Sequence, residues 1–333
     1  MVYTQAEVSL PPGGNSHQYR SSYRDYCMSD TRKTLTGKCA VLVLLALALW
    51  SGIGQAAETA SSGGKALLAK YPTISAKLQK NQFAAPIYLE STEVEGSLKV
   101  DMYGVVPHSF NTVKDALQSP VNWCDITSMH INIKACTARK TADQGLVTIY
   151  SGRKYYQPPA DAYQLKLKFR IAAQQPDYLD IALAANEGPL RTKDHRIRLE
   201  AVPLDKGRTF VHFSYAYSHG PLANMAIKTY FATLARDKVG FSTVPGKGGR
   251  PVYIGGVRGA VERNTVRYYL ALQAYLDTLN MQEGQRFEQR ISRWYDLTAR
   301  YPRQLKEVEK PEYLDSKRRE HTNQLILQKK EGR

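Results

Sequence analysis

Between Tyr163 and Ile171 the chain alternates without a fault. Tyr163, Leu165, Leu167, Phe169 and Ile171 fall on one side, and Gln164, Lys166, Lys168 and Arg170 on the other. A period of two is that of a strand, and a strand with one wet face belongs to an antiparallel sheet rather than to a doubly covered parallel one. The pattern recurs along the middle of the chain. Strands are expected over Ile126–Cys136, Leu146–Tyr156, Tyr178–Ala184, Asp194–Val202 and Thr209–Ser218. In the fourth of these, His195, Ile197, Leu199 and Ala201 share a face; in the last, Val211, Phe213, Tyr215 and Tyr217 do. Proline, glycine, asparagine and aspartate fill the links, as in Gln174-Gln175-Pro176-Asp177 and Asn186-Glu187-Gly188-Pro189. Six or more strands on short links predict an antiparallel meander.

Helices flank this run. Lys65–Phe83 reads as two helical pieces divided by Pro72, and Pro86–Glu90 as an extended lead-in. Leu98, Val100 and Met102 then alternate with Lys99, Asp101 and Tyr103 in a half-buried strand. Ser109 is placed to cap a helix whose Phe110, Val113 and Leu117 share a face; Pro120 breaks it, and a turn brings up Trp123. After the sheet, helix is expected over Leu222–Asp237, a hairpin around Gly246-Lys247-Gly248-Gly249, and a long helix over Val257–Leu279. That helix has a buried stripe of Val261, Thr265, Tyr268, Leu272, Tyr275, Leu276 and Leu279. Helical stretches over Phe287–Tyr301 and Gln304–Lys330 close the chain.

An amphipathic strand, a short helix, a proline break, a tryptophan and then a long run of strands resemble the opening of START-like (SRPBCC, helix-grip) domains. The resemblance covers Leu98–Leu279. It implies an α+β fold in which a curved antiparallel sheet wraps a long C-terminal helix, here Val257–Leu279, with a hydrophobic cavity between them. Members of that superfamily bind lipids, sterols or polyketides, and some are cyclases or hydrolases. The chain departs from the pattern through an inserted helix and hairpin at 219–256 and added helices after 280. It also looks like an exported proteobacterial branch of the superfamily. The expected division is a leader at 1–56, a helical lead-in at 57–90, the START-like domain at 91–280 and a helical extension at 281–333.

The leader rests on Cys39–Trp50, twelve apolar residues behind Arg32, Lys33 and Lys38, with Gly54 and Ala56 where a signal peptidase reads small side chains. Twelve helical residues span roughly 18 Å, too short for a hydrocarbon core of about 30 Å. Residues 1–27 are unlike an n-region, so translation is expected to start at Met28. Cleavage after Ala56 would deliver the rest of the chain to a periplasm. The leader carries five Lys or Arg and three Asp or Glu, so the exported part keeps nearly all of the formal charge of +16. Such basicity fits anionic surfaces or ligands as well as a merely solvated surface; export argues against nucleic acid. Past the leader only Cys124 and Cys136 remain, and an oxidising compartment favours their pairing. The strand expected at 126–136 opposes it, because at about 3.3 Å per residue it would carry Cys136 far from Cys124.

An apolar content of 43% supplies a substantial core. Cavity candidates are Trp123, Tyr163, Leu165, Leu167, Phe169, Tyr215, Tyr217, Tyr268, Leu272 and Tyr275, whose tyrosines pair an apolar ring with a hydroxyl. An ordinary packed core remains the alternative. His108, His130, His195, His212 and His219 match no metal spacing; His130 and His195 are the acid/base candidates. No cofactor or metal is expected, and oligomeric state is not determined. Gly255-Gly256-Val257-Arg258-Gly259 is either an anion cradle or a close-packed turn. The basic residues Arg300, Arg303 and Lys317–Arg319 are candidates for peripheral contact with an anionic membrane. The leading expectation is a periplasmic binding or carrier protein for a hydrophobic small molecule or lipid. The alternatives are a cavity enzyme of the cyclase or hydrolase kind and an envelope interaction protein.

Overall fold

The computed structural model describes residues 63–331 except 95, 141–144 and 221–237. The leader and the helix expected at 222–237 lie outside the described residues. In chain order the elements are α1 (63–79), β1 (Ile87–Val94), β2 (Ser97–Val106), α2 (Phe110–Leu117), α3 (Pro120–Ser128), β3 (Ile133–Lys140), β4 (Gly145–Ser151), β5 (Tyr163–Gln174), β6 (Leu179–Glu187), β7 (Thr192–Pro203), β8 (Thr209–His219), the hairpin β9 (Thr243–Pro245) and β10 (Pro251–Tyr253), α4 (Gly256–Asp277), α5 (Glu283–Ala299), α6 (Pro302–Leu305) and α7 (Lys310–Glu331).

β1 to β8 form one antiparallel sheet in the order β1-β2-β8-β7-β6-β5-β4-β3. From β3 to β8 it is the expected meander; β8 then closes against β2, and β1 adds an edge strand where the sequence suggested a lead-in. Irregular registers at Ile133/Ala135, Ile171/Ala173 and Lys193/Arg196 mark points where extra residues bend a sheet. Leu98, Val100 and Met102 of β2, Leu179, Ile181 and Leu183 of β6 and Val211 of β8 point to one core with α4. The opposite phase of the same strands, with Val105, Val202 and Phe210, packs on Leu67, Ile74 and Leu78 of α1. α1 thus covers the outer face over β2, β7 and β8, β5 keeps Lys166, Lys168 and Arg170 exposed there, and α4 crosses the inner face. This is the α+β helix-grip arrangement.

α4 is buried around nearly its whole circumference rather than along one stripe. α5 covers the side turned from the sheet: Trp294 donates its indole N–H to the Arg267 carbonyl at 3.0 Å. Buried Arg267 in turn meets the Glu307 carboxylate at 2.9 Å. At the start of α4, the Glu262 carboxylate accepts from Ser91 Oγ and from the Phe241 and Ser242 amides, tying β1 and the hairpin to the helix. Arg258 donates to Ser91 Oγ at 2.7 Å, and a Cβ on Gly259 would come within 2.8 Å of the Ile254 carbonyl. Close packing in the glycine-rich run is therefore confined to Gly259, and Arg258 is engaged by Ser91.

Five local expectations are corrected. α1 runs unbroken through Pro72. α2 does end ahead of Pro120, but Trp123 stands on a helix and not a turn: Pro120 occupies the first position of α3, where its missing N–H costs nothing and its fixed φ suits a helix. The strand expected over 126–136 begins only at Ile133, because α3 continues to Ser128, and the strand expected to Tyr156 ends at Ser151. The helical stretch at 304–330 is divided into α6 and α7. With 124–128 helical, the chain folds back on itself and the objection to a bridge disappears: Cys124 and Cys136 form a disulfide with a Cα–Cα distance of 5.0 Å.

β3 is an edge strand, and α7 covers it in an unusual way. Gln324 Oε1 accepts the Cys136 amide at 2.9 Å, and Gln328 both accepts from and donates to the Ala138 backbone at 2.8 Å. Two glutamine side chains take the place of a ninth strand on an edge that would otherwise invite pairing.

Candidate functional site

The sheet and α4 do not close completely on each other. Between them lies a cavity of about 90 Å3, several times the about 10–15 Å3 that one water needs. Its sheet wall is apolar: Met102, Ile149, Leu167, Leu183, Leu199 and Val211. Trp123 and Ile126 of α3 and Val261, Tyr269 and Leu272 of α4 complete it. Trp123 donates its N–H to the Leu117 carbonyl at 2.8 Å, so the indole satisfies its one donor away from the cavity.

Of the sequence candidates, Trp123, Leu165, Leu167, Tyr215, Tyr268 and Leu272 line the cavity. Tyr163, Phe169, Tyr217 and Tyr275 are not among the lining residues. Tyr163 is half-buried at the start of β5. Phe169 packs edge-on against Trp123. Tyr217 stacks on His195 with ring centroids 5.6 Å apart. Tyr275 lies under the Arg290 guanidinium at 4.1 Å, on the side of α4 that meets α5.

Polar groups line it at several places, Thr127 of α3 and Ser151 of β4 among them. On α4 stand Asn264, Thr265 and Tyr268. On the sheet side, His195, Thr192 and Tyr215 form a connected set: His195 Nδ1 is 2.9 Å from the Tyr215 hydroxyl, and Nε2 is 2.9 Å from Thr192 Oγ1. Burial pushes the His195 imidazole down to about 4. Thr192 escaped the sequence reading, which began this strand at Asp194. The register shift between Lys193 and Arg196, with Asp194 at φ +53°, turns Thr192 toward His195, and strict alternation gives no signal of that.

The other histidines stand elsewhere. His130 is fully buried and stacked on Tyr268, but it does not line the cavity; burial holds it well below its ordinary value. His108 meets Asp277 at 3.0 Å. His212 lies on the α1 side of the sheet between Asp101, at 2.9 Å, and Glu200, at 2.8 Å. Burial would lower it, but the hydrogen bonds from the two carboxylates prevail and raise it.

A wider hollow of about 590 Å3 lies between α1 and α4, with Tyr71, Leu78, Arg208 and Tyr301 in its wall. Tyr269 lines both spaces. Its ring lies flat over Gly104, where a Cβ would come within 2.6 Å of it.

The basic C-terminal cluster is turned inward in part. Lys317 is buried and donates to the carbonyls of Ser128, His130 and Ile133. Arg318 pairs with Glu288, and Arg319 lies 3.6 Å over the Tyr156 ring. Lys317 is thereby withdrawn from the surface, while Arg318 and Arg319 stay exposed on α7.

No family model matches the chain, and no curated protein matches its sequence. Among solved structures it is similar to the ZhuI aromatase/cyclase from Streptomyces sp. R1128, at 9% identity and TM-score 0.29, over 37% of this chain and 70% of that one. It is similar to norcoclaurine synthase from Thalictrum flavum, at 12% identity and TM-score 0.31, over 43% and 91%. A third likeness, to human StAR-related lipid transfer protein 5, has 12% identity and TM-score 0.29, over 53% and 90%. At such scores the functional reading rests on this chain's own cavity.

Proposed function

We propose that this chain is an exported binding or carrier protein for a hydrophobic or amphipathic molecule, lipids included, held between the sheet and α4. The carrying observation is the cavity: an apolar-walled space inside the core, bordered by few polar groups. Largely apolar cavities with a small number of polar groups accept apolar or amphipathic guests. The periplasmic location is supported by the signal-like leader and by the Cys124–Cys136 pair, which an oxidising compartment favours.

The cavity-enzyme reading has one observation behind it, the convergence of His195 and Tyr215. A histidine held at about 4 is a weak base at neutral pH, so binding is the better-supported use of the same residues.

The test is native mass spectrometry and organic extraction of the protein purified from a periplasmic fraction under non-denaturing conditions. The expected result is a mature N-terminus after Ala56 and a co-purifying apolar molecule, or uptake of one by stripped protein. Stripped protein that takes up no apolar probe would refute the binding reading; retention in the cytoplasm would refute the export.

A further inference from the structure

Most polar side chains in the cavity wall already have their partners, as buried donors require. Thr127, Ser151, Thr192 and Tyr269 each donate to a backbone carbonyl, those of Cys124, Tyr163, Pro189 and Val105. His195 and Tyr215 bond one another at 2.9 Å. The remainder stand together on α4. Asn264 and Tyr268 are four residues apart and share a helix face, with Thr265 beside them. Among the described residues, neither the Tyr268 nor the Thr265 hydroxyl makes a hydrogen bond. Burial raises the Tyr268 phenol well above its ordinary value, so it keeps its hydrogen and stands as a donor.

Asn264 turns the same kind of group to the cavity. Its Oδ1 accepts from the Arg267 guanidinium at 3.3 Å. A guanidinium can only donate, so the amide oxygen faces Arg267 and the NH2 end faces away. Burial holds His130 well below its ordinary value, yet Asn264 acts the other way and favours the protonated ring, again as an acceptor does. The His130 ring, stacked on Tyr268 with centroids 4.7 Å apart, fixes the plane of the phenol. The α4 wall thus offers an O–H and an N–H side by side. In an apolar space each carries the desolvation penalty of an unmade bond until an acceptor arrives.

Charge narrows the acceptor. No Asp, Glu, Lys or Arg is among the described residues that line the cavity. Arg267, whose charge reaches Tyr268, is matched by Glu307 at 2.9 Å. A charged guest would be buried without a counter-ion, which costs far more than burying a neutral oxygen that finds a donor.

We propose that the cavity selects an uncharged, mainly apolar molecule carrying a carbonyl oxygen, which accepts from Tyr268 and Asn264 on α4 while its apolar body lies against the sheet wall. This rests on the binding reading above and names the chemical class of its ligand. The oxygen meets donors that the protein does not satisfy itself, and so orients the guest; the apolar wall supplies most of the affinity.

The experiment uses stripped full-length exported protein and four single-ring probes, toluene, acetophenone, benzoate and benzylammonium, with dissociation constants measured at pH 7 by calorimetry or ligand-observed NMR. Acetophenone is expected to bind at least about tenfold tighter than either charged probe. Tyr268→Phe keeps the ring and removes the hydroxyl. It is expected to weaken acetophenone about threefold to tenfold, the worth of one hydrogen bond, and to leave toluene unchanged. Asn264→Ala is expected to do the same through the second donor. Toluene binding also reports that each variant is folded. Thr127→Val, on α3, removes a hydroxyl already spent on the Cys124 carbonyl and is expected to leave both affinities unchanged. Binding of a charged probe as tightly as acetophenone overturns the proposal and leaves the binding reading standing. So does a result in which neither Tyr268→Phe nor Asn264→Ala separates acetophenone from toluene, or in which Thr127→Val separates them equally well. Failure of every probe to bind the parent overturns both.

Discussion

Glu320 holds two buried lysines. Lys134 contacts its Oε1, and Lys317 stands 2.6 Å from its Oε2. Burial, and then the charge of Lys317, pull the Lys134 ammonium down to about 8. Removing the shared carboxylate leaves two desolvated cations facing each other, and breaking a buried pair in this way costs about 3–5 kcal/mol. Glu320→Ala should lose about that much in urea unfolding at pH 7, while Lys134→Met in the same background should recover part of the loss. A Glu320→Ala variant within 1 kcal/mol of the parent, on the same scale, would mean the lysines reach water. His212 gives a pH signature. Its folded value is raised above 6.5, so its bonds to Asp101 and Glu200 stabilise fully below pH 6.5 and are lost as pH rises through the raised value. The stability gap between parent and His212→Gln should be largest near pH 6 and shrink toward pH 9; a constant gap would contradict this. Asp101 behaves in the acid range. Burial works against it, but His212 and Lys99 hold it at about 2, so its contribution fades as pH falls from 3.8 through 2. His212 was visible in the sequence, but its partners were not. Asp101, Glu200 and His212 become neighbours only once β2, β8 and β7 are known to lie side by side.

The elements were legible wherever one period ruled. β5 follows its alternation, and Ser109 caps α2 by accepting the Thr112 amide. α3 was misread because a nine-residue helix and a strand share one stretch of mixed residues. Trp123, Ile126 and Thr127 sit at helical spacing, while Met129, Ile131 and Ile133 alternate, and a short apolar run does not decide between the two. The error concealed the geometry that the disulfide needs. The bridge closes a short loop between α3 and β3 and should contribute roughly 3 kcal/mol through the unfolded state. Cys124→Ser with Cys136→Ser should lower stability by about that amount in non-reducing buffer and remove the parent's sensitivity to dithiothreitol. If reductant destabilises the double variant as much as the parent, the bridge is not the cause. The edge cover by α7 gives an independent check on the same strand. Gln324→Leu leaves the buried Cys136 amide without an acceptor, a loss of about 1–3 kcal/mol, and should raise its hydrogen exchange rate specifically.

At the scale of the whole molecule, periodicity foretold the sheet and the long helix but could not foretell how tightly they meet. The stripe of α4 reads identically whether its residues fill the concave face or leave a gap. What keeps them apart is spread over many positions: α3 brings Trp123 in from the side, and α5 and α6 hold α4 from behind. A clamped helix cannot simply settle onto the sheet, so the space persists. That yields a prediction separating a cavity from a packed core. Leu272 lines the space from α4, and Leu272→Phe adds three carbon atoms there. In a close-packed interior, overpacking costs about 1–3 kcal/mol. Against an existing void of about 90 Å3 the ring has somewhere to go, so the variant should stay within about 1 kcal/mol of the parent or exceed it. The same substitution should weaken uptake of toluene, because it occupies part of the site. Stability kept and binding lost together is the signature of space held open for a guest, a trade between stability and function seen where sites are left underpacked. A Leu272→Phe protein destabilised by about 3 kcal/mol, or one that takes up toluene as well as the parent does, would count against a guest site at this wall.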